Sequence, residues 1–127
     1  MNHSPYLNKA LNDLPGLLKR SAITLTAAQV EFDAIVCTGV SGMLVGPALA
    51  VALGKRLAII RKKDDKMNHA TVEIESGMEP DDRWIFVDDI IASGRTATHV
   101  MERMGKAVGG ECAGYYMYNW DEYYEGD

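Results

Sequence analysis

At 127 residues, with 47% apolar and 24% charged residues, the chain has the length and composition of one ordinary globular domain. A net charge of −5 argues against a nucleic-acid-binding surface. No apolar run approaches the ~20 residues of a membrane span, and no membrane partner is expected. The first residues, Met1-Asn2-His3-Ser4-Pro5, show neither the basic start nor the apolar stretch of a secretory signal, so a cytoplasmic location is the default expectation. Cys37 and Cys112 are too few for a disulfide framework and read as buried free thiols. His3, His69 and His99 lack metal-ligand spacing, which makes a zinc site improbable.

Taken in order, Leu14, Leu17, Leu18, Ala22, Leu25 and Ala28 share one face of a helix over residues 14–29, with Pro15 suited to its first turn. Ala34-Ile35-Val36-Cys37 reads as a first core strand. Thr38-Gly39-Val40-Ser41-Gly42 then supplies glycines and hydroxyls at a strand-to-helix turn, and a small-residue helix is expected from Val45 to Leu53. Pro47 fits that helix only in its first turn. Leu57-Ala58-Ile59-Ile60 is a second core strand, followed by the densest basic run, Arg61-Lys62-Lys63 with Lys66 behind it. Residues 64–82 are polar and lack a helical stripe, although Thr71-Val72-Glu73-Ile74-Glu75 alternates as a half-exposed strand does. Such a long connection in a small domain is commonly functional or disordered.

The stretch from Arg83 to Ala97 organises the rest. Ile85 to Val87 read as a strand buried on both faces, the signature of a parallel sheet. Asp88 and Asp89 fall where that strand ends. Ala92-Ser93-Gly94-Arg95-Thr96 forms a small-residue turn. A helix follows from about Arg95, with Ala97, Val100, Met101, Met104, Ala107 and Val108 on its stripe and Gly109-Gly110 as its stop. Helix N-termini carry unpaired N–H groups and partial positive charge, so this turn is suited to a phosphate. The carboxylates upstream suit sugar hydroxyls or hydrated magnesium. Glu111 to Tyr118 read as another core strand, and the aromatic tail 119–127 either stacks on a flat base or covers an apolar edge or dimer interface.

Val87-Asp88-Asp89-Ile90-Ile91-Ala92-Ser93-Gly94-Arg95-Thr96 resembles the phosphoribosyl pyrophosphate (PRPP) motif of the type I phosphoribosyltransferases at every position of that pattern. The resemblance implies an α/β fold: a single-domain parallel β-sheet flanked by helices over residues 1–127, with a long mobile loop and a reduced hood. It implies transfer of the 5-phosphoribosyl group from PRPP to a nucleobase, giving pyrophosphate and a nucleoside monophosphate. Magnesium is the implied cofactor, held by Asp88 and Asp89. Ala92, Ser93, Gly94, Arg95 and Thr96 are the implied 5′-phosphate site, and Thr38, Gly39, Val40, Ser41 and Gly42 the pyrophosphate site. Arg61 and Lys62 are the implied cations opposite the pyrophosphate. The segment 42–50 is similar to the corresponding helix of adenine phosphoribosyltransferases. Alanine at position 92, where members acting on 6-oxopurines usually carry aspartate, points to the adenine and orotate branches. Beyond that core only residues 1–13 and the tail remain, so the base pocket is expected to be minimal, borrowed from a second subunit in a homodimer, or missing. A PRPP-binding regulatory module without turnover is the competing expectation.

Overall fold

The computed structural model describes residues 8–61, 74–89, 100, 102, 104 and 109–126. Its centre is a six-stranded sheet. In chain order the strands are β1 (Ala34–Thr38), β2 (Arg56–Ile60), β3 (Ile74–Ser76), β4 (Arg83–Asp88), β5 (Glu111–Met117) and β6 (Glu122–Glu125), arranged β3-β2-β1-β4-β5-β6. The inner four run parallel, whereas β3 and β6 pair antiparallel at the two edges. The parallel sheet flanked by helices is as expected, and the two antiparallel edges are short strands that fold back beside the strand preceding them in the chain. Parallel strands need covering on both faces, and every residue of β1 is buried accordingly.

One face packs against helices α1 (Asn8–Asn12), α2 (Leu14–Ala27) and α3 (Gly39–Leu53), burying Leu17, Leu25, Ile35, Val45, Leu49, Ile85, Val87 and Tyr116 in one cluster. The other face buries Val36, Ala58, Ile60, Trp84 and Phe86 against Val100 and Met104, which are helical. Asp13 caps α2 by accepting the Gly16 N–H at 3.0 Å, and Pro15 occupies its first turn as expected. That helix ends at Ala27, two residues short of the expected limit.

α3 departs from expectation more. It begins at Gly39 rather than Val45, which leaves Pro47 inside the helix. Packing explains the tolerance: Gly42 and Gly46 lie against β1, and a Cβ on Gly46 would come within 2.8 Å of Cys37 Sγ. This close approach buries Val45, Leu49 and Ala50 as well, offsetting the hydrogen bond that proline forfeits. Cys37 is buried and free, as expected, and burial pushes its thiol up to about 12. Cys112 is also free but only half-buried, because it stands near the start of β5.

Residues 64–73 of the long polar connection lie outside the described residues. The remainder, 74–82, is ordered into β3 and a turn held by Asp82, which accepts the Glu79 N–H at 2.9 Å. The tail places Tyr123 and Tyr124 in β6 opposite Tyr116 and Tyr115, so it extends the sheet beyond β5. No helix among the described residues is long and apolar enough to cross a membrane.

Candidate active site

Parallel pairing aligns the ends of four strands. Thr38 stands opposite Ile60, and Asp88 opposite Met117, so β1, β2, β4 and β5 all finish at one edge of the sheet. In open α/β sheets that edge is where ligands bind. Gly39 turns the chain from β1 into α3 with φ 70°, a conformation that glycine adopts without strain. The first turn of α3 therefore presents its unpaired N–H groups at this edge. Thr38 does not cap the helix with its side chain; its hydroxyl instead donates to the Ile60 carbonyl at 2.6 Å, tying the end of β1 to that of β2.

Asp88 is 7% exposed and is held by two donors. The Ser41 hydroxyl donates to its Oδ1 at 2.8 Å, and the Asp89 N–H donates to the same oxygen at 2.9 Å. Burial pushes the Asp88 carboxyl up to about 6, although both hydrogen bonds pull the other way. Among the described residues no cation bonds to it. The structure thus brings together Ser41, which the resemblance assigns to the pyrophosphate, and Asp88, which it assigns to the ribose hydroxyls or magnesium.

Arg61 follows β2 directly at the same edge, and its guanidinium forms an ion pair with Glu75 of β3 at 2.5 Å. Lys62 lies outside the described residues, as do Ala92, Ser93, Gly94, Arg95 and Thr96. Among the described residues no three His, Cys, Asp or Glu side chains cluster closely enough to form a metal cage. An adjacent pair of carboxylates, one buried and without a cationic partner among the described residues, nevertheless fits magnesium. That ion takes oxygen donors and usually keeps several waters.

Sequence reasoning missed one residue here. Tyr118, 2% exposed, donates its hydroxyl to the Ser41 carbonyl at 2.8 Å, while its backbone N–H donates to the Asp88 carbonyl at 3.0 Å. Its partners are 77 and 30 positions away, so no local pattern announces them; only its place at the end of an apolar strand was visible. Two cavities, of about 310 and 320 Å³, are lined by residues such as Glu31, Arg83, Phe32 and Lys55. These cluster where the strands start, at the edge away from Asp88.

The family model for the phosphoribosyl transferase domain matches residues 10–117. The chain is a member of the type I phosphoribosyltransferase family. An adenine phosphoribosyltransferase of Bifidobacterium longum subsp. infantis is 36% identical over 112 residues, covering 78% of this chain and 58% of that protein. An orotate phosphoribosyltransferase of Nitratiruptor sp. is 33% identical over 90 residues, covering 71% and 43% respectively. The solved adenine phosphoribosyltransferase of Saccharomyces cerevisiae, in complex with an imino-altritol bisphosphate and adenine, superposes with a TM-score of 0.65 at 30% identity, covering 81% of this chain and 68% of that one. This phosphoribosyltransferase-family chain thus spans roughly half the length of the curated relatives it matches.

Proposed function

We propose that the chain, acting over residues 1–127 as one phosphoribosyltransferase domain, transfers the 5-phosphoribosyl group from PRPP to a nucleobase. A ring nitrogen of the base attacks C1 of the ribose and gives up its proton to water; the C1–O bond to pyrophosphate breaks, and its electron pair leaves on the pyrophosphate oxygen. The observation that carries this reading is the 2.8 Å bond between Ser41 and Asp88, because it joins the β1–α3 turn to the acidic pair at one edge of the sheet.

The roles follow from the chemistry of each group. Asp88 and Asp89 are acceptors for the ribose hydroxyls and the residues that would hold magnesium. When bound, magnesium supplies positive charge against the leaving pyrophosphate. The amides at Gly39, Val40, Ser41 and Gly42 receive the pyrophosphate oxygens, with Arg61 and Lys62 adding charge. Ser93, Gly94, Arg95 and Thr96 grip the 5′-phosphate. Position and electrostatics do the work, and no side chain acts as nucleophile. Adenine is the first base to test, orotate the second, since relatives bearing both names are similar to this chain. A cytoplasmic homodimer completes the reading.

The test is a panel of bases incubated with PRPP and magnesium, following pyrophosphate release. Base-dependent release with adenine or orotate supports transfer. Tight PRPP binding without release from any base supports the regulatory-module alternative, and neither binding nor release overturns both.

A further inference from the structure

Tyr118 closes a ring of interactions around the β1–α3 turn and the acidic pair. Its phenol packs in the cluster formed with α2 and α3, where a tyrosine hydroxyl must find an acceptor or forfeit a hydrogen bond. Backbone carbonyls inside helices already accept from the N–H four residues on, yet the acceptor here is the Ser41 carbonyl in the first turn of α3. Ser41 in turn donates its hydroxyl to Asp88, and the Asp88 carbonyl accepts from the Tyr118 backbone at 3.0 Å. The next residue continues the seam: the Asn119 N–H donates to the Asp89 carbonyl at 3.2 Å. Three elements, α3, β4 and the end of β5, are thereby fixed to one another at the single place where the turn meets the acidic pair.

We infer that Tyr118 is a positioning residue for the pyrophosphate half of the site: its hydroxyl holds the 38–42 turn at the height where its amides and Asp88 address one ligand. This rests on the phosphoribosyl reading above. Tyr118 touches no substrate atom and acts through Ser41. In the sequence the 5′-phosphate segment 92–96 follows β4, whereas the turn that Tyr118 braces follows β1. Loss of the phenol oxygen therefore affects one end of the ligand and spares the other, a selectivity that general destabilisation does not produce.

The experiment is calorimetric titration of the full chain with PRPP plus magnesium and, separately, with ribose 5-phosphate, for the wild type, Tyr118→Phe and Ser41→Ala. Tyr118→Phe keeps the ring and removes the hydroxyl. It is expected to weaken PRPP about fivefold, the order of one neutral hydrogen bond, and to leave ribose 5-phosphate within about twofold. Ser41→Ala removes the next link outside the core and is expected to weaken PRPP by a similar factor. A double variant no weaker than the worse single one marks the two as parts of one ring. Unchanged PRPP affinity in Tyr118→Phe, or equal losses on both ligands, overturns the inference. Should Tyr118→Phe fail to fold, unchanged PRPP affinity in Ser41→Ala overturns it instead. A wild type that binds neither ligand sinks the phosphoribosyl reading, and the inference with it.

Discussion

Strand β4 has a buried aspartate at each end, and the two are treated in opposite ways. Asp82, just before the strand, is 4% exposed and receives two bonds from the Arg56 guanidinium, at 2.6 and 2.5 Å. The Arg56 hydrogen bonds hold its carboxyl below the usual carboxylate range. Asp88, which closes the strand, is buried to a similar degree, yet among the described residues its carboxylate meets a hydroxyl and an amide but no cation, and burial raises it to about 6. A carboxylate paired with arginine is a fastening. One buried without a cation costs stability and is retained where a ligand supplies the missing charge. Near Asp82, Arg83 donates its backbone N–H to Asp33 at 2.9 Å and its guanidinium lies 3.3 Å from Glu111.

The sharpest way to break this comparison is to neutralise each aspartate in turn. Asp88→Asn with Asp89→Asn is expected to abolish magnesium-dependent PRPP binding and to cut pyrophosphate release by about 10³-fold, the order seen when a charge-stabilising group is lost from an active site. Circular dichroism should show the fold intact. Unchanged affinity in that variant would sink the assignment of the acidic pair. Asp82→Asn is expected to do the reverse: to lower the melting temperature by about 5 °C, an ordinary shift for a destabilised domain of this size, while activity per folded molecule is retained.

The pH dependence sharpens the contrast further. In the folded chain Asp88 takes up its proton near pH 6, against 3.8 for an ordinary aspartate. Between these values the folded state holds the extra proton, so Asp88 makes stability fall as pH rises from about 4 to about 6. The difference amounts to about 2 kcal/mol once partial solvation is allowed for. Urea titrations at pH 4.5 and 7 should show the drop in the wild type and lose it in Asp88→Asn, which is then the more stable chain at pH 7. The smallest expected effect belongs to Arg61. Glu75→Gln releases its guanidinium from the 2.5 Å pair and should tighten PRPP about twofold if that charge serves the pyrophosphate.

Much of the fold was legible because its strands are unbroken apolar runs between breakers; Ala34–Cys37, Leu57–Ile60 and Ile85–Val87 all lie within observed strands. What misled lay in tertiary packing. Gly39 to Gly42 read as a loop because two glycines in four residues usually break structure, whereas here Gly42 lies inside a helix pressed on Cys37. The same packing holds Pro47 inside α3. The four residues Glu122 to Glu125 have no apolar alternation to announce β6, and the pairing with β5 supplies its register. For the site, Asp88 and the β1–α3 turn were visible as types in order. The Ser41–Asp88 bond and the Tyr118 brace were not, since each joins residues that only the folded sheet brings together.

The edge strand β6 has a consequence for how the molecule behaves in company. A row of unpaired peptide groups is an invitation to any other extended segment, and a parallel core has no means of its own to refuse it. Here that row belongs to four residues, Glu122 to Glu125, bounded by a carboxylate at each end. A second chain trying to add itself there would bring its own backbone beside those glutamates and find little length to bind. The shortness and charge of β6 make this edge a poor template for another chain.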